Sequence, residues 1–147
     1  MTYKTSYPYA QTAVFLWLGF VLSISFMEAW LKFQAPGISV PLGLGIGKLV
    51  FGALNLMEWV FTAIVAANFF LGSNKSLEKP KMLFLIPVLL LLVQSIWLLP
   101  ALDVRADALI AGQEIAESNL HYFYVGCEII KVVALFLLGI KLYKKTT

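Results

Sequence analysis

The chain holds one cysteine and one histidine in 147 residues. A lone Cys127 excludes an internal disulfide and any multi-cysteine metal framework. Charge is also scarce, at 13% of residues, against about 25% in a soluble domain. No nucleophile–base arrangement and no nucleotide motif appears. The glycines from Gly43 to Gly47 precede Lys48, but a phosphate loop needs glycine at 42 and Ser or Thr after the lysine. Leu42 and Leu49 stand there instead. The net charge of +3 does not mark a nucleic-acid binder, because the lysines gather at the ends of apolar stretches and form no basic face. No nucleic-acid partner is expected.

Apolar residues are abundant: 61% of the chain, with a mean hydropathy of +0.86. Four apolar runs cover about 10–33, 43–71, 82–99 and 119–143. Each suffices for the ~18–20 residues that cross a hydrocarbon core about 30 Å thick. The reading is a single transmembrane domain over 1–147, all-α, an integral membrane four-helix bundle of antiparallel up-down order. Lys4 is the only charge before the first run and no small-x-small cleavage site follows it. That run is therefore expected to be a retained span and not a signal peptide.

The three connections differ in character. Gln34–Pro41 is a Pro/Gly turn that cannot continue a helix. Ser73–Lys81 is short, polar and basic. Pro100–Ser118 is acidic, with Leu102, Ala106, Leu109 and Ile110 at helical spacing. That pattern predicts a short amphipathic helix on the outer membrane surface, between the third and fourth spans. The small residues Gly43, Gly45, Gly47 and Gly52 predict a close helix–helix approach.

Orientation follows from the lysines. Lys4, Lys75, Lys79, Lys81, Lys141, Lys144 and Lys145 fall on one side if four helices alternate. Asp103, Asp107, Glu114 and Glu117 fall on the other, with Arg105, Lys32 and Lys48. The lysine-rich side, with both termini, is expected in the cytoplasm, and a bacterial inner membrane is the expected location. Tyr3, Tyr7, Tyr9 and Tyr143 read as the inner aromatic belt; Trp30, Trp97, Tyr122 and Tyr124 read as the outer one.

A charged side chain at mid-bilayer costs at least ~2.5–3.5 kcal/mol on insertion scales, so each needs a partner or a task. Ser25, Glu28 and Lys32 share one stripe of the first helix. Asn55, Glu58 and Thr62 share one of the second, and His121, Glu128 and Lys131 one of the fourth. The third span offers Gln94 and Ser95. At about 1.5 Å per residue, Glu58, Glu128 and Lys131 lie roughly 15–20 Å below the outer boundary, near the midplane. Glu58, Glu128, Lys131 and Asn55 thus form a candidate buried polar or transport site. Glu28, Lys32, His121, Asp103 and Arg105 form a candidate outer vestibule.

Two accounts of these residues stand side by side. Glu28 with Lys32, and Glu128 with Lys131, can be intrahelical neutralised pairs, with Asn55 and Gln94 as structural hydrogen bonders. Glu58 resists that account, having no basic residue within one turn. It must meet Lys131 across the bundle, bind a cation or hold a proton. His121 and Glu28 are the candidate metal ligands, although His121 and Glu128 lie two turns apart, about 10 Å, too far to share one ion. No cofactor is expected beyond such a metal ion, and no catalytic residue is named.

The runs Trp17-Leu-Gly-Phe20, Lys32-Phe-Gln-Ala-Pro36, Val50-Phe51 and Leu120-His-Tyr-Phe-Tyr124 resemble a group of small four-helix membrane proteins of the transmembrane protein 205-like type. The resemblance implies a small multi-pass membrane protein and carries no catalytic motif. The leading functional expectation is a small transporter or an ion- or proton-conducting protein, homo-oligomeric or joined to a membrane-complex partner. The alternatives are a non-catalytic accessory subunit and a metal- or cofactor-binding membrane enzyme.

Overall fold

The structure is a computed structural model and describes residues 2–5, 7–71 and 78–146. Residues 72–77, with Lys75 of the basic connection, lie outside the described residues. Among the described residues four helices are long and apolar enough to cross a membrane: α1 (Pro8–Gln34), α2 (Val40–Leu71), α3 (Pro80–Ile110) and α4 (Leu120–Lys141). Such helices fit a multi-pass membrane protein. Two four-residue strands, β1 (Thr2–Thr5) and β2 (Tyr143–Thr146), pair antiparallel and bring the two ends of the chain together.

Helix limits follow from local chemistry. Pro8 opens α1 at a position where its missing N–H is no loss. At the other end Ala35 turns extended before Pro36, and Gly37 takes a positive φ of 83°. Ser39 opens α2, its Oγ accepting the Leu42 N–H. Gly112, at φ 74°, closes α3. The Gly112 N–H there meets Leu109 O and the Gln113 N–H meets Ala108 O, the two bonds of a Schellman cap.

The third connection departs from the sequence reading. Residues Leu99–Ile110 are helical, but they continue α3 and do not form a separate element. Pro100 does not end the helix because a π-helical segment, Gln94–Leu98, precedes it. In that segment the Leu99 N–H reaches back five residues to Gln94 O. Pro100 then stands at the start of a fresh α segment, where no donor is required of it. A matching π segment, Leu22–Glu28, lies in α1, with the Ala29 N–H on Ile24 O.

A π-bulge is one extra residue absorbed without turning the rest of the helix. Deleting the exposed Ile96 is therefore expected to restore a plain α-helix and yield a folded protein. Deleting Leu89 in the regular part of α3 turns everything beyond it by about 100° and is expected to abolish folded yield. Size-exclusion profiles in detergent compare the two.

Contacts between neighbouring helices run in opposite order. Along α1 and α2 the Ala10 N–H donates to Asn68 Oδ1 and Trp17 reaches Glu58. Along α2 and α3 Phe69 meets Phe84, Asn55 meets Ser95, and Lys48 pairs with Asp107. Along α1 and α4 Gln11 reaches Gly139 and Ser25 reaches Glu128. Val14, Trp17, Val65, Leu91, Leu135 and Leu138 fill the interior, while Phe70 at 89% and Leu49 at 77% exposure turn outward. Large apolar side chains on the outer surface are what lipid-facing helices need and what a soluble bundle avoids.

The glycines serve α1 in a way their spacing did not foretell. A Cβ on Gly43 would strike the Phe33 ring, and one on Gly47 would stand 3.3 Å from Lys32 Nζ. Gly45 and Gly52 have open space beside them. The run seats two side chains from the end of α1 and is not a backbone-to-backbone seam. Tyr7 and Tyr124, read as belt residues, are instead buried, packed edge-on against Phe69 and Phe51.

Candidate functional site

The polar stripes of α2 and α4 meet at the centre of the bundle. Lys131 and Glu128 are 0% exposed and Glu58 is 1% exposed. The Lys131 ammonium donates to Glu58 Oε1 at 2.6 Å and to Glu128 Oε1 at 2.9 Å, so one cation serves two carboxylates. Glu128 and Lys131 stand three apart on one helix face, as their spacing requires. Glu58 comes from the opposite wall.

The other two helices complete the arrangement. Trp17 of α1 donates its indole N–H to Glu58 Oε1 at 2.8 Å. Ser25 of α1 donates to Glu128 Oε2 at 3.0 Å. Gln94 of α3 donates its amide to Glu128 Oε1 at 2.5 Å. Ser25 and Gln94 both lie within the π segments, so the helical irregularities occur where polar side chains turn inward. Every span contributes a group to one network.

Charge and hydrogen-bond capacity do not balance within it. Two carboxylates face one ammonium, so the centre falls one positive charge short of neutrality when both acids are ionised. Glu128 accepts from three donors, while Glu58 Oε2 has none among the described residues. Thr62 Oγ1, one turn farther along α2, and Gln94 Oε1 are likewise buried without a partner. Buried polar atoms are rarely left unpaired, and Glu58 Oε2 keeps lone pairs that no described residue satisfies.

Asn55 does not join the centre. Its amide donates to Ser95 Oγ at 2.8 Å, where Trp59 also donates at 3.0 Å. This is a separate link between α2 and α3. Interhelical hydrogen bonds in membrane bundles average about 0.6 kcal/mol, so Ser95→Ala, which orphans two donors, is expected to cost about 1–2 kcal/mol. Unfolding in mixed micelles measures it.

The residues read as an outer vestibule are only partly gathered. Lys32, Asp103 and His121 line a cavity of about 180 Å³ that also contains Lys48, Phe51 and Tyr124. Glu28 pairs with Lys32 at 3.2 Å and does not line that cavity. Arg105 turns away and donates to Ala116 O at 2.6 Å, pinning the loop after α3. Lys48 is paired with Asp107. A second cavity, of about 280 Å³, shares Ala29, Phe51, His121 and Tyr124 with the first. It reaches Ser25 and Glu128.

As for metal ligands, no group of three His, Cys, Asp or Glu side chains gathers among the described residues. His121 packs edge-on to Tyr122, and Glu28 is engaged with Lys32. Glu58, Glu128 and Lys131 are legible in the sequence as site residues, whereas Ser25 and Gln94 read there only as stripe or scaffold residues. Trp17 carries no such mark of a site residue. The available signal was position: Trp17 lies well inside its span and away from both interfaces where tryptophan gathers.

No protein-family model, curated protein or solved structure matches this chain.

Proposed function

We propose that this chain is a small membrane transporter or conductor of a proton or small cation, working at the Glu58–Glu128–Lys131 centre. One observation carries the reading: the centre holds two carboxylates against one ammonium, with Glu58 Oε2 buried and unpartnered. In lipid such an imbalance is costly, and a mobile positive charge relieves it. A one-to-one pair would carry no such deficit.

In this reading the four helices form an antiparallel up-down bundle across a bacterial inner membrane, with both termini cytoplasmic. Support comes from the paired ends of the chain, which require an even number of crossings, and from the lysine bias. The end of α3, Leu99–Ile110, is read as the part that emerges at the outer surface, since it carries Asp103, Arg105 and Asp107. A four-helix chain is short for a whole pathway, so a homo-oligomer is the proposed form. The likeness to small membrane proteins of the transmembrane protein 205-like type belongs with this reading.

The competing reading is an accessory membrane subunit whose buried charges only hold the bundle together. It is favoured by the fact that both ion pairs of the centre close within one chain. Purified protein in liposomes, with an internal pH dye and imposed gradients, separates the two. Transport predicts flux in the native protein and none in Glu58→Gln. The accessory reading predicts no flux in either and altered recovery of a membrane complex.

A further inference from the structure

The two cavities give the buried centre a sidedness. The larger is lined by His121 from the start of α4 and by Ser25 and Glu128 of the centre. Both cavities lie on the side of the loops that follow α1 and α3. Toward the termini the picture reverses. Val14, Val65, Leu91, Leu135 and Leu138, from all four helices, are each 0% exposed and pack beyond the centre. Open space adjoins the Ser25–Glu128 pair on one side, and close-packed side chains stand on the other.

The groups around Glu128 also choose what can arrive. Its Oε1 already faces the Gln94 amide and the Lys131 ammonium, and its Oε2 faces the Ser25 hydroxyl. All three are donors. A hard metal cation needs several oxygen lone pairs at once, and Lys131 at 2.9 Å repels it. A proton needs only one lone pair. Ser25 lines the cavity beside Glu128, half-buried where the carboxylate is fully buried, with its O–H already aimed at Oε2.

We infer that the cavity below His121 is a one-sided aqueous access path, and that Ser25 relays protons from it to Glu128 in the state seen here. This deepens and rests on the reading of the chain as a proton or cation handler. In the step, a hydronium in the cavity gives its proton to Ser25 Oγ and becomes water. Ser25 passes its own proton to Glu128 Oε2 and ends neutral. Lys131 then bridges Glu128 to Glu58, and Thr62, one turn farther along α2, lies toward the closed side. The titratable groups lining the path are His121, Tyr124 and Glu128 on α4; the adjoining cavity adds Lys32 on α1, which is paired with Glu28, Lys48 on α2 and Asp103 on α3.

The test replaces Cys127 by serine and places single cysteines at Ser25, Ala29 or Thr62. Sealed vesicles of both orientations are treated with a membrane-impermeant thiol reagent. Ser25→Cys and Ala29→Cys are expected to label only from the face opposite the termini, and Thr62→Cys from neither. Labelling of position 25 from the terminal face, or from neither face, overturns the path. If Ser25→Cys does not fold, Ala29→Cys decides by the same criterion.

Proton flux in liposomes then tests the relay. Ser25→Ala is expected to lower it about a hundredfold, the lower end of what a positioned proton-transfer group supplies. Native-like flux in Ser25→Ala with none in Glu58→Gln overturns the relay alone. Flux surviving in Glu58→Gln, or absent from the native protein, overturns the proposed function, while the labelling pattern still decides whether the path exists.

Discussion

Replacing Lys131 with methionine is expected to destabilise the protein by about 3–5 kcal/mol, the cost of breaking a buried ion pair from one side. The reason lies in the two contacts of one ammonium, 2.6 Å to Glu58 and 2.9 Å to Glu128. Methionine fills the volume but leaves two carboxylates facing each other with no cation and almost no solvent. The effect is asymmetric. Removing one acid leaves a neutral one-to-one pair, whereas removing the base leaves two uncompensated acids.

A rescue follows from the same count. The triple variant Glu58→Gln, Glu128→Gln, Lys131→Met carries no charge at the centre and is expected to recover most of the loss, since neutral replacements of buried ion groups are often tolerated. Equilibrium unfolding in mixed micelles compares the three proteins. Native-like stability of the single Lys131→Met variant would show that the ammonium does not neutralise this centre.

The Glu58→Gln variant is expected to separate function from folding. Glutamine keeps the shape and one acceptor for Trp17 and Lys131, which both bond Oε1. It also brings the centre to one acid and one base, so stability should stay within about 1 kcal/mol of native, the scale of a single hydrogen bond. Flux should fall to that of protein-free liposomes, because the amide cannot take up and release a proton at the vacant oxygen. A Glu58→Gln protein that conducts normally overturns the proposed function at this centre. One that fails to fold reassigns it to scaffold.

Much of the site was legible because helical periodicity is a property of the chain alone. Glu128 and Lys131, three apart, had to share a face wherever α4 packed, and Glu28 and Lys32, four apart, likewise. Both pairs are present. Glu58 stood out by lacking a neighbour of opposite charge within a turn, and in the structure it meets Lys131 from across the bundle. Asn55 shares the stripe of Glu58 but bonds Ser95, as its alternative reading as a structural hydrogen bonder had it: a shared stripe limits direction but does not choose a partner.

Composition and spacing by themselves determined that four long apolar helices exist and which side chains each turns to one side, since hydrophobicity and a 3.6-residue repeat need no partner to be read. Only the tertiary structure decided that Lys131 bridges two acids, that Trp17 and Gln94 join them, and that α3 runs on through Pro100. Those outcomes depend on how each helix is rotated against its neighbours and on a slip of backbone hydrogen bonds at two π segments. Rotation is set by packing between distant residues, and the slip leaves no mark in composition.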